Sequence, residues 1–137
     1  FVVLGEVAAK ALSPGINDPG TAIDVIGTAV RLLTDWRRRV EGREHCDAPH
    51  RVHLRPPGYD DLLDDVFRPI AAYGAGDVAV AVRLLKGLAA LHADAGEPGL
   101  RAALEATAKD AAARALAALE QPADQARVRA ALAEVAA

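Results

Sequence analysis

The sequence predicts an all-α fold, a single-domain helical bundle of about six helices, and three observations predict it. Apolar residues recur at three- and four-residue spacing through most of the 137 residues. The runs open at Asp-Pro, Glu-Pro, Gln-Pro or a lone Asp, residues that cap or begin helices. An apolar content of 52% supports one compact core at this length, and no period of roughly 20 to 50 residues marks a repeat array.

The first helix carries Leu4, Val7, Ala8, Ala11 and Leu12 and must stop where Ser13 precedes Pro14, because a residue before proline is pushed out of the α region. Ser13-Pro14-Gly15-Ile16 then fits a type II turn in which Gly15 supplies the positive φ. Asp18-Pro19 reads as the cap and first residue of a long second helix. Its two stripes, Ile23, Ile26, Val30, Leu33 and Val40 beside Val25, Ala29, Leu32 and Trp36, would pack on two sides and place it at the centre of the domain. Arg37, Arg38 and Arg39 complement its C-terminal dipole.

Residues 42–58 break the pattern and read as an extended loop, in which Arg51-Val52-His53-Leu54-Arg55 alternates as a short β-hairpin would. The third helix, about 60–73, turns Leu63, Val66, Phe67 and Ile70 inward, with Pro69 bending it and Gly74 closing it. Asp77 caps a fourth helix that Gly96 ends; Glu97-Pro98 opens a fifth, ending near Glu120, and Gln121-Pro122 opens a sixth with Val128, Leu132 and Val135 inward. Of 32 alanines, 26 lie beyond residue 70, so the last helices should pack closely through thin surfaces. Glu97, Arg101, Glu105 and Lys109 alternate in sign at four-residue steps and read as a solvated face.

Charge and cysteine usage narrow the function. A net charge of −3 with both signs interspersed provides no basic field for nucleic acid, which is not an expected partner. The single cysteine, Cys46, excludes an internal disulfide and suits a reducing compartment. The longest run free of Asp, Glu, Lys and Arg spans residues 69–76, too short to cross a bilayer. The chain opens on Phe1-Val2-Val3-Leu4 and contains no methionine, as expected of a fragment cut from a longer chain close to or inside a helix.

Three constellations bear on chemistry. His45-Cys46-Asp47 with His50 and His53 gathers residue types that Zn²⁺ accepts, at spacings that fit no standard finger, so a solvated loop is the reading taken. Asp60-Asp61-Leu62-Leu63-Asp64-Asp65 is similar to the aspartate-rich magnesium-diphosphate motif of all-α isoprenoid synthases. Those enzymes carry a second acidic motif on a facing helix, so here the pairs read as helix-terminal caps and solvated acids rather than a Mg²⁺ site. His92, near the end of the fourth helix, suits the dipole there. No cofactor is expected; Zn²⁺ or Mg²⁺ would have to come to these two clusters. The third constellation is the corner Leu12-Ser13-Pro14-Gly15-Ile16-Asn17-Asp18-Pro19-Gly20-Thr21-Ala22, where the second helix's first amides would hold an anion unless Asp18 occupies them itself.

The run Ala11 to Pro19 with Thr21-Ala22, continued by Phe67, Ile70, Tyr73-Gly74, Asp77, Val78, Arg83-Leu84-Leu85 and Leu88, resembles the predicted membrane proteins called domain of unknown function 2254, over residues 1 to about 95. The resemblance implies transmembrane helices ahead of this region, a water-exposed place for this domain on the cytoplasmic side, and no defined reaction. It makes Ser13, Asn17, Asp18 and Thr21 the residues to test for ligand binding. The family's polar and basic pair within the third helix is replaced here by Phe67-Arg68-Pro69-Ile70, so no role tied to that pair carries over. The function expected is a non-catalytic interaction, assembly or regulatory module. Its simplest partner is a second copy, with the upstream transmembrane segment as another. The alternative is a small-ligand or metal site at the Ser13–Thr21 corner, enzymatic if Asp64 or the histidine loop completes it.

Overall fold

A computed structural model describes residues 2–41 and 58–135. They form six helices: α1 (Val2–Ala11), α2 (Pro19–Glu41), α3 (Tyr59–Tyr73), α4 (Val78–Asp94), α5 (Pro98–Ala118) and α6 (Pro122–Ala133). The described residues contain no strand; the short β-hairpin expected within the long loop falls on residues 42–57, which lie outside the described residues. All six helices feed one apolar core, in which Ala8, Ile26, Phe67, Ile70, Leu84, Leu88, Leu104 and Val128 are buried.

Proline and aspartate set the helix starts. Pro19, Pro98 and Pro122 each stand at a first helical position, where the missing N–H is no loss. Asp77 caps α4, its Oδ1 accepting from the amides of Ala79 (2.8 Å) and Val80 (3.0 Å). Asp61 satisfies one amide at the start of α3 by accepting from the Gly58 N–H at 3.2 Å; Gly58, without a side chain, returns no second bond.

The helices approach one another most closely where side chains are absent. A Cβ on Gly5 would lie 2.2 Å from the main-chain oxygen of Asp65, so α1 rests directly on the backbone of α3. On Gly87 it would lie 3.0 Å from Val30 Cγ2 and 3.3 Å from Ile26 Cγ2, which brings α4 onto α2. Gly74 closes α3 at a negative φ of −92°; what requires glycine there is space, since a Cβ would meet Val80 Cγ1 at 2.6 Å and the Ile70 oxygen at 2.8 Å.

One expectation about the layout is corrected. α2 does pack on two sides, against α1 and α4, but α4 is the central helix, touching α2, α3, α5 and α6. The exposed row Asp24, Arg31, Leu32, Asp35, Arg38 and Arg39 leaves one long side of α2 in water. The alanine-rich helices behave as anticipated: Ala108, Ala111, Ala112 and Ala115 are buried on α5, letting it sit against both α3 and α4. On α6, Val128 is buried as expected while Leu132 is only partly covered; Val135, expected on the same helix, is buried just beyond its end.

Candidate functional site

The corner between α1 and α2 is built almost entirely from its own backbone. Ser13 Oγ donates to the Lys10 oxygen at 2.7 Å, closing the end of α1. The Ser13 oxygen accepts from two amides, Ile16 at 3.0 Å and Asn17 at 2.9 Å, and the Asp18 amide reaches back to the Ala11 oxygen at 2.8 Å. The type II turn is therefore replaced by a right-handed helical one. Among the described residues no glycine has positive φ; Asn17, at +48°, turns the chain into the left-handed region instead of Gly15.

Asp18 then caps α2 with both carboxylate oxygens: Oδ1 accepts from the Thr21 amide at 3.1 Å and Oδ2 from the Thr21 hydroxyl at 2.6 Å. The hydroxyl bond first, then the Thr21 amide and the Gly20 amide, hold this carboxyl below its ordinary value although it is open to solvent. Of the four residues singled out in the sequence, the fold brings Asp18 and Thr21 into direct contact and sets Ser13 on the opposite end of the turn, bonded to Lys10. Among the described residues the Asn17 side chain makes no hydrogen bond; its backbone angle is its contribution. This chemistry fixes a chain direction and keeps the first amides of α2 satisfied.

The other constellations separate. His45, Cys46, His50 and His53 lie outside the described residues. Asp61 belongs to the α3 cap and Asp64 pairs with Arg68 at 3.2 Å, both exposed. Among the described residues no three His, Cys, Asp or Glu side chains are placed to hold a metal ion. His92 Nε2 stands 3.3 Å from Glu105 Oε1, and Glu105 Oε2 lies 3.4 Å from Lys109 Nζ, so the face of α5 read as solvated is in part a tie to α4. Arg101 joins that tie, donating from Nε to the Ala95 oxygen at 2.7 Å. Arg37, expected to complement its own helix end, is buried and crosses to Asp94, donating to both the main-chain oxygen and the carboxylate at the end of α4.

Two surface features were not recognised in the sequence. The first is an apolar face on α1 and α2. Val3 is 69% exposed, Leu32 46% and Val7 44%, and Val3, Leu4, Leu32 and Trp36 line an open groove of about 360 Å³ with Asp35 and Arg39 at its rim. Trp36 is steadied from behind by an edge-on contact with Tyr59, ring centroids 6.4 Å apart. The signal was present as an α1 apolar on more than one side, since Val2, Val3 and Val7 accompany the inward Leu4 and Ala8. The second is the approach of Arg31 and Arg83 to one another over Gly27.

No described helix is long and apolar enough to cross a membrane. Residues 1–90 match the family described as predicted membrane protein (DUF2254). No curated protein and no solved structure matches the chain.

Proposed function

Because the chain belongs to the DUF2254 family of predicted membrane proteins, we propose that this helical bundle is a non-catalytic assembly module of such a protein, and that it associates with a second copy of itself through the α1/α2 groove. The observation that carries this reading is the exposed set Val3, Val7 and Leu32 beside Asp35 and Arg39. Exposed apolar side chains gathered on one face favour burial against a partner. Asp35 and Arg39 stand one helical turn apart, and among the described residues neither is engaged in an ion pair. A two-fold axis across the groove sets the acid of each copy against the base of the other, the self-complementary pattern of an isologous interface. A cytoplasmic place for the domain is part of this reading, and the single cysteine, Cys46, supports it.

Light scattering on the purified protein over a range of concentrations tests the reading. A dimer is expected that Leu32→Glu dissociates, that Asp35→Arg weakens, and that the double exchange D35R/R39D restores. A protein that stays monomeric at every concentration, or a dimer indifferent to Leu32→Glu, would remove the basis for it.

A further inference from the structure

Arg31 of α2 and Arg83 of α4 converge on Gly27. The Arg83 Nη2 and Arg31 Nη1 atoms lie 3.1 and 3.6 Å from where a Cβ on Gly27 would be, near enough to one another for a single tetrahedral oxyanion to reach both. Arg31 is held for this: its other nitrogen, Nη2, donates to Thr28 Oγ1 at 3.0 Å, which fixes the plane of the guanidinium and leaves Nη1 over the glycine. Among the described residues neither arginine has a carboxylate in ion-pair contact, although Asp24 and Asp35 stand on the exposed side of the same helix. Arg68, Arg114 and Arg127, by contrast, are each paired with an aspartate one turn away. Two unpaired cations brought together over a residue without a side chain repel each other, and an oxyanion between them relieves the repulsion while accepting charge-assisted hydrogen bonds from both. Arg38, two turns beyond Arg31, and Lys86, one turn beyond Arg83, are exposed and also free of ion pairs among the described residues, so each of the two helices carries a further unpaired cation near the cradle.

We infer that Arg31 and Arg83, converging over Gly27, form a phosphate-binding site whose ligand is a phosphate group, carried by an anionic lipid or by a small soluble molecule. The inference goes beyond the dimerisation reading and uses none of its residues. Inorganic phosphate and vesicles made of equal parts phosphatidylglycerol and phosphatidylcholine are the two probes, with pure phosphatidylcholine vesicles as the blank. Phosphate binding is read from the guanidinium NMR signals of Arg31 and Arg83, and vesicle binding from flotation.

The double variant R31Q/R83Q is expected to weaken binding about thirtyfold, with the effect fading as salt is raised. R68Q/R114Q, which removes the same charge from paired positions, is expected to leave binding nearly unchanged. Gly27→Leu keeps both charges, favours the helix and fills the cradle, so it too should lose binding while its circular dichroism stays native. Binding to the phosphatidylglycerol vesicles alone identifies a lipid headgroup, and a response to phosphate alone identifies a soluble ligand. Absence of both responses, or equal losses in the two double variants, overturns the site.

Discussion

Gly5 of α1 sits on the main-chain oxygen of Asp65 in α3, the oxygen that Pro69, lacking an N–H, leaves without a helical donor. The proline that weakens α3 thereby exposes a backbone acceptor at the place where a residue without a side chain lets another helix press against it. Gly5→Ala would put a methyl group 2.2 Å from that oxygen. It is expected to cost about 1–3 kcal/mol in urea unfolding, despite raising helix propensity. Pro69→Ala returns a donor to Asp65, so the two substitutions should be non-additive in a double-mutant cycle.

Arg37 clasps the end of α4 from 57 residues away in sequence. Arg37→Met should lower stability by about 1–3 kcal/mol, a value kept below that of a fully buried pair because the Asp94 side chain is partly exposed. Asp94→Asn, which keeps the main-chain acceptor, should cost less. The order of the two midpoints in guanidinium unfolding checks this.

Asn17 and Gly15 exchange the roles their types suggest. With φ of +48°, Asn17 is expected to accept glycine with little change and to lose about 1–2 kcal/mol on substitution by alanine. Gly15 has no positive φ and nothing within 4 Å of a Cβ position. Gly15→Ala should therefore be neutral or stabilising by about 0.4–1 kcal/mol. Thermal unfolding of the three variants separates the assignments.

Asp18 gives the corner a pH dependence of known sign. Its carboxyl is held below the ordinary 3.8, chiefly by the Thr21 hydroxyl. A group whose pKa is depressed by folding contributes stability above its unfolded value and loses it as the pH falls through the folded one. The Tm gap between the protein and Asp18→Asn should thus be complete near neutrality and close as the pH falls below 3.8. Thr21→Val should move the Asp18 carboxyl resonance in an NMR titration up toward the ordinary value.

What the sequence revealed and what it hid divide along a physical line. Helix starts depend on one or two neighbouring residues, so Pro19, Asp77, Pro98 and Pro122 could be read directly, as could the inward face of α3. The Asp18 cap belongs to the same class. Close helix crossings were not legible, because Gly5 and Gly87 look like flaws in a helix until the neighbouring backbone is seen. Nor were the long-range ties of Arg37 and His92, whose partners are set by packing rather than by spacing. The left-handed residue was misplaced for a related reason: Pro14-Gly15 permits a type II turn, but the two amides shared by the Ser13 oxygen wind it as a helical turn and pass the reversal to Asn17.

Residue 90 lies inside α4, so the family match stops partway along a continuous rod. The interior has no seam there. Leu104, Ala111 and Ala115 from the unmatched tail form the wall that α3 and α4 lean on, and Val128 seals the far side. A chain trimmed at that border would strip Leu100 and Leu104 from beside Leu62 and Leu63, and Ala111 and Ala115 from beside Ile70 and Leu84, so the alanine-rich tail is as much a part of the folding unit as the segment that carries the family signature.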